Sequence, residues 1–277
     1  MKQPLWLRVL AYGVAILVSL ICLYPYYWML VSSFRDTQAI LSNPLKLWPE
    51  NISFGVLKEI SSVGGTPLWR YVMNSVFITT ASTAVGTLVT ALGAYALVRR
   101  ADSWFFKSLR IGFLVTIMYP YMLLVIPVYI VMYKLGLLGT YSGIILFLAL
   151  GPIQFFLFEQ FFRSVPRSVI EAAVIDGANE LQVLFQIVLP LAMPVVATAS
   201  IITFLLNWSQ WLPVLVVSRS PDTYTLPVAL MTINGELGVN FQGVMALSVL
   251  TTIPVTLFFL IAQKRVIAGM TAGAVKG

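Results

Sequence analysis

Histidine is absent from the 277 residues, cysteine occurs once, and only 10% of the positions carry a charge. The lone Cys22 has no intramolecular disulfide partner. Without histidine, Cys/His zinc sites, histidine-ligated haem and histidine acid–base catalysis are excluded. Soluble domains carry about a quarter charged residues, so this deficit, with 59% hydrophobic residues, excludes an ordinary soluble protein. A Gly-x-x-x-x-Gly-Lys-Ser/Thr phosphate loop is also lacking: the stretch from Gly273 to Gly277 has neither the first glycine at the required spacing nor a hydroxyl after Lys276. Energy for any ATP-driven work has to come from another chain.

What the sequence does have is six long apolar runs, at 9–31, 71–98, 111–133, 142–162, 191–217 and 243–262, each near the roughly 20 residues that cross a bilayer as a helix. Five contain no charged residue. The fourth, 142–162, holds Glu159 near its end, where a carboxylate can reach the interface. The first run ends in bulky Tyr24-Pro25-Tyr26-Tyr27-Trp28 without a small-residue cleavage site, so it reads as a retained anchor and not as a signal peptide. The expected fold is an all-α polytopic membrane protein with six transmembrane helices.

Orientation follows from the basic residues, which short loops keep on the cytoplasmic side. Lys2, Arg8, Arg99, Arg100, Lys107, Arg110, Arg163, Arg167, Lys264, Arg265 and Lys276 fall in one alternate set of segments; only Arg35, Lys46, Lys58, Arg70, Lys134 and Arg219 fall in the other. Both termini are therefore expected in the cytoplasm, with 32–70, 134–141 and 218–242 outside. The net charge of +7 is spread over membrane flanks, which argues for topology and against nucleic-acid binding. Turn signals at Asn43-Pro44, Trp48-Pro49 and Gly64-Gly65-Thr66-Pro67 give the first outer segment structure of its own. The chain divides into an N-terminal helix and external loop (1–70), a membrane core (71–262) with a cytoplasmic loop at 163–190, and a cytoplasmic tail (263–277).

That loop carries most of the information. Pro166, a Ser168/Glu171 capping box and a left-handed stop at Gly177 mark a short helix, and Asn179 with Glu180 marks a second start running toward Pro190. The first helix is expected to expose Ala172 and Ala173 beside Ile170 and Val174, a small apolar patch. Periodicity alone fits equally a surface for another protein's groove and a helix lying on the membrane or under the bundle.

The run Glu171-Ala172-Ala173, three residues, Gly177, nine residues, Ile187, one residue, Leu189-Pro190 resembles, at every defined position, the EAA loop of the permease subunits of binding-protein-dependent ABC importers. The resemblance continues in Asn74-Ser75, Ala94-Tyr95-Ala96-Leu97, Ile126-Pro127-Val128-Tyr129, Leu135-Gly136-Leu137 and the tail from Gly269 to Gly277. Together these look like the carbohydrate branch and its smaller, maltose-G-type subunit. Trp208-Ser209-Gln210-Trp211 with Pro213 keeps that branch's tryptophan in the fifth helix but lacks its asparagine. The resemblance implies the type I ABC importer permease fold in a prokaryotic inner membrane. It also implies a second homologous permease, two cytoplasmic ATPases that bind ATP and magnesium, an external solute-binding protein and a sugar as cargo. No cofactor, metal or catalytic residue is expected in this chain. Glu171, Ala172, Ala173, Asp176, Gly177, Ile187, Leu189 and Pro190 would form the ATPase-coupling element. The tail would reach the ATPases and the 218–242 segment the binding protein.

For the substrate pathway the residues to name are Gln154, Asn207, Trp208, Gln210 and Trp211, because aromatic faces and amides bind sugars. The same types also form interfacial belts and interhelical hydrogen bonds. Gly86, Gly93, Ala84 and Ala91 read as sites of close helix packing. Other readings are an ABC importer for another small polar solute or an ion-coupled secondary transporter. A proton-coupled carrier lacks the intramembrane ionisable groups it needs, and a membrane enzyme lacks paired carboxylates or a Ser/Lys pair.

Overall fold

The computed structural model describes residues 4–49, 52–149, 151–237 and 240–274. Its first part comprises helices α1 (Leu5–Ser32), α2 (Thr37–Ser42) and α3 (Gly55–Ile60), then a hairpin of β1 (Ser62–Val63) and β2 (Thr66–Pro67) turned by Gly64-Gly65. There follow α4 (Leu68–Arg99), α5 (Trp104–Met118), α6 (Tyr121–Lys134), α7 (Tyr141–Ala149), α8 (Pro152–Ser164) and α9 (Arg167–Ile175). The rest is α10 (Glu180–Gln182), a π-turn at Val183–Val188, α11 (Leu189–Trp208), α12 (Leu212–Val217), a 3₁₀ turn at Pro221–Thr223, α13 (Leu226–Leu237) and α14 (Phe241–Ala274). Val275 to Gly277, the end of the expected tail, lie outside the described residues; up to Ala274 the backbone remains helical.

Among the described residues, four helical runs are long and apolar enough to cross a membrane: Leu5–Ser32, Leu68–Arg99, Glu180–Trp208 and Phe241–Gln263. Tyr141–Ala149 and Pro152–Ser164 make a fifth span if taken as one helix bent by 48°. The run expected at 111–133 is two helices, α5 and α6. The run expected at 191–217 begins earlier, inside the coupling loop, and ends at Trp208. The breaks share a cause. A residue before proline is biased away from the helical region, and Tyr119 before Pro120 (ψ 133°) and Gly151 before Pro152 (ψ 115°) are both extended.

The chain forms two compact units. The first is Met1–Trp69 with Ala229–Pro254. Only Val31 and Ser32 of α1 are buried, a surface suited to lipid and not to water. The loop beyond α1 is organised by the buried Arg35, which donates from Nη2 to the carbonyls of Ala39 (2.6 Å) and Asn43 (2.8 Å) and from Nη1 to that of Lys46 (3.2 Å). Gln242 donates from Nε2 to the carbonyls of Ser33 and Ser53, satisfying two more backbone groups of the same loop.

The second unit is Arg70–Val228 with Val255–Gly277. One core cluster joins Ala94 and Tyr95 of α4, Phe155, Phe158 and Phe162 of α8, and Val183, Leu184 and Val188 of the π-turn. Phe113 of α5 stacks on Phe155 at 4.3 Å, an arrangement worth about 0.5–1.5 kcal/mol beyond burial. Of the small residues singled out, Gly86 does admit a neighbour: a Cβ there would strike the carbonyl of Ala149 on α7, whereas Gly93 faces open space.

Glu159 does not reach out to the interface. It is buried, and its Oε1 accepts from Arg110 Nε of α5 at 2.7 Å and from Arg163 Nη2, one turn further along α8, at 2.9 Å. The guanidiniums come to the carboxylate, which removes the cost of a lone buried charge.

Candidate functional site

The loop between α8 and α11 begins with Pro166, whose fixed φ (−60°) starts α9 at Arg167. The helix therefore starts one position ahead of Ser168, and no side chain caps it; the expected Ser168/Glu171 capping box is not formed. The box sits instead on the second helix. Asn179 Oδ1 accepts from the Gln182 N–H (2.9 Å), and Gln182 Oε1 accepts from the Asn179 N–H (2.8 Å). The stop at Gly177 is as expected. Its φ is +86°, Gly177 N donates to Val174 O, and Ala178 N donates to Ala173 O, both at 3.0 Å, which is the Schellman pattern. Space around Gly177 is open, so the constraint is the backbone conformation alone.

Burial divides the residues expected to couple. Ala173 packs inward with Ile170 against Val183, Leu184 and Val188, and Ile187 and Leu189 border the same cluster. Glu171, Ala172, Asp176, Gly177 and Pro190 are exposed. The outward apolar surface is thus Ala172 with Val174 and Ile175, the last 84% exposed, and not the expected pairing of Ala172 with Ala173 and Ile170. Helical spacing explains the correction: positions 170 and 173, three apart, share one face, 172 and 175 lie opposite, and Val174 lies at the edge between them. Glu180 ties the second helix to the end of α4, accepting from Arg99 Nη2 at 3.1 Å and from the Tyr95 hydroxyl at 3.2 Å. Beyond Gln182 the helix widens into the π-turn and then continues through Pro190 into α11. Pro190 has no N–H to donate, and its ring crowds the carbonyl four residues back; a wider turn immediately before it relieves that crowding.

The expected pathway residues separate. An open groove of about 730 Å³ lies between α4, α11 and α14, lined by Thr80, Thr83, Thr87, Met193, Ser200 and Phe204 among others. Gln154 is buried behind it and reaches it through a chain: Gln154 Nε2 donates to Thr87 Oγ1 (2.7 Å), which lies 3.0 Å from Ser200 Oγ. Gln154 Oε1 and Thr83 Oγ1 are buried without a partner among the described residues. Asn207 spans helices, donating to Ser82 Oγ and the Leu148 carbonyl. Trp208 is buried and stacks on Phe204, which also stacks on Phe258. Gln210 and Trp211 sit at the α11–α12 break, away from the groove lining. The groove hydroxyls escaped the sequence reading because single Ser and Thr residues in a membrane helix look like helix-packing positions.

On the other side of the unit, Asn74-Ser75 holds the 222–226 backbone. Asn74 Nδ2 donates to the carbonyls of Asp222 (2.9 Å) and Tyr224 (2.8 Å), Asn74 Oδ1 accepts from the Tyr141 hydroxyl (2.8 Å), and Ser75 Oγ accepts from the Leu226 N–H (2.8 Å). The segment after it is the helix α13, whose Leu226 and Val228 are fully buried.

Comparison with known proteins agrees with this architecture. The arabinooligosaccharides transport system permease protein AraQ of Halalkalibacterium halodurans is 32% identical over 98% of this chain and 96% of its own. The trehalose/maltose transport system permease protein MalG of Thermococcus litoralis is 30% identical over the whole of both. A chain of a bacterial ABC transporter involved in the import of the acidic polysaccharide alginate superposes with a TM-score of 0.77 at 25% identity, covering 95% of this chain and 99% of the other. Residues 88–271 match the family described as the binding-protein-dependent transport system inner membrane component. With its EAA loop, its apolar spans and its full-length relatives in agreement, the chain belongs to that family of ABC importer permeases.

Proposed function

We propose that this permease forms half of the translocation pathway of a saccharide importer and is driven through α9 by a cytoplasmic ATPase. The observation that carries the reading is the two-sided build of the loop. Ile170 and Ala173 pack on the π-turn that leads into α11, while Glu171, Ala172, Val174 and Ile175 face outward. A push on the outer face passes through a Schellman turn and a capping box into a membrane helix, which is the mechanical requirement of alternating access. Glu171, Ala172, Asp176 and Gly177 make the outer contact in this reading; Ala173, Ile187, Leu189 and Pro190 set the geometry behind it.

The remaining parts of the proposal follow the topology and the relatives. The chain crosses the inner membrane six times with both termini in the cytoplasm, its parts being 1–70, 71–262 and 263–277. It pairs with a second permease and two ATPases and receives cargo from an external binding protein. The cargoes of its relatives, arabino-oligosaccharides, trehalose or maltose, and alginate, support a saccharide here. The groove's lining is mainly apolar, and the Thr87–Ser200 hydroxyl pair backed by Gln154 is the polar feature in it that a sugar could pair with. The test is uptake of labelled oligosaccharides into proteoliposomes holding the co-purified transporter. ATP-dependent uptake that vanishes when the ATPase subunits are omitted supports the proposal, and uptake unaffected by their omission overturns it.

A further inference from the structure

A second cavity, of about 390 Å³, lies where the ends of α4 and α8 meet the start of α5. That volume falls in the roughly 300–1,000 Å³ range of small-ligand sites. Three cations converge on it, Lys107, Arg110 and Arg163. The only carboxylate among the described residues paired with any of them is Glu159, whose Oε1 takes both guanidiniums. Lys107 has no carboxylate partner among the described residues, so the cavity keeps an excess of positive charge. The basic residues flanking membrane spans are accounted for by topology, but topology does not require them to share a cavity.

One turn further along α5 the lining is apolar. Ile111 and Leu114, the next turns of α5, line the cavity and are 60% and 42% exposed. In the orientation proposed above, this wall lies in the inner leaflet and the cations at its cytoplasmic boundary. A site with cations at headgroup depth and an open aliphatic track one turn deeper matches a molecule that is anionic at one end and aliphatic at the other. We propose that this cavity binds an anionic phospholipid, its phosphate on Lys107 and the outer nitrogens of Arg110 and Arg163, and an acyl chain along Ile111 and Leu114. A free phosphate would use the cations but not the track. The bound lipid would staple α5 to α8 beside the coupling loop. The inference rests on the orientation and not on the cargo.

The test uses the purified transporter with all its subunits in detergent, titrated with phosphatidylglycerol, phosphatidylcholine or inorganic phosphate while the permease's melting temperature is followed. Phosphatidylglycerol is expected to raise it saturably and phosphatidylcholine not. Lys107→Ala, which breaks no side-chain hydrogen bond or ion pair among the described residues, is expected to raise the half-saturating concentration about fivefold, the effect of one basic residue at an anionic surface. Lys107→Arg should keep the wild-type curve, and Ile111→Asn should weaken the lipid response. Equal stabilisation by both lipids, an unchanged curve for Lys107→Ala, or the full effect from inorganic phosphate would each overturn the proposal. ATP-driven uptake measured on the same variants keeps the result separate from the saccharide reading.

Discussion

Arg99 and Glu180, 81 positions apart, meet with Nη2 and Oε1 3.1 Å apart and so tie the last turn of α4 to the first turn of the helix that follows the coupling loop. Both side chains are partly in water, 31% and 62% exposed, which limits the pair to about 0.2–1 kcal/mol. Arg99→Ala should therefore lower the permease's melting temperature only slightly, and the charge swap Arg99→Glu with Glu180→Arg should restore it. A loss above about 2 kcal/mol would mean that Arg99 does more than pair at a surface.

Glu159 gives the opposite expectation. It is 3% exposed, whereas Arg110 and Arg163 keep 44% and 46% of their side chains accessible. Glu159→Leu leaves two guanidiniums that can turn to water, so the cost should stay under about 1 kcal/mol. Arg110→Ala combined with Arg163→Ala strands a buried carboxylate and should cost about 3–5 kcal/mol. Thermal unfolding in detergent checks the order; equal losses would refute the asymmetry.

At Gly177 the left-handed φ of +86° penalises any β-branched side chain, by about 1–3 kcal/mol, although nothing crowds the site. Gly177→Val should insert into the membrane normally yet abolish ATP-driven transport. Glu171→Lys should do the same, because Glu171 is exposed and its side chain makes no hydrogen bond or ion pair among the described residues. Normal uptake by both variants, with ATPases bound, would remove the coupling role from α9.

Asn74→Ala deletes two donors to the carbonyls of Asp222 and Tyr224 and the acceptor for Tyr141. Leaving those groups unpaired costs about 1–3 kcal/mol. The expected readout is faster trypsin cleavage at Arg219 with little change in ATPase retention. Cleavage at the wild-type rate would show that other contacts hold the segment.

Orientation can be read with thiol labels in a Cys22→Ser background. A cysteine at Asn179 should react with a membrane-impermeant reagent only from the cytoplasmic side, and one at Asp222 only from outside. Both positions are exposed, so access depends on the side of the membrane alone. Reversed labelling would invert the proposed topology.

Long apolar runs, the Gly177 stop and the Asn179 start were legible because each depends on residues within a few positions. The helix breaks were not. Pro127 and Pro254 sit inside α6 and α14 without ending them, whereas Pro120 and Pro152 each follow a break. A proline therefore does not announce by itself which it will do, and an apolar window averages across the interruption. The groove hydroxyls and the Arg110–Glu159 pair were hidden for a different reason. Thr87 meets Gln154 and Ser200 only after three helices pack, and no local pattern records that meeting. The inward turn of Ala173 was available from helical spacing, but the family motif draws the eye to Ala172 and Ala173 as a unit.

The π-turn at Val183–Val188 holds one residue more than an α-helical turn needs, which is why Val183 and Val188, five positions apart, both face the core. Elsewhere between Glu180 and Trp208, losing a residue would turn everything beyond it by about 100° about the helix axis and send the groove-lining side chains in the wrong direction. Within the π-turn, a deletion could be absorbed by tightening to α geometry, leaving both flanks in phase. The stretch from loop to membrane helix thus has its slack in one place, and a single-residue deletion scan along this helix should find its only tolerant point there.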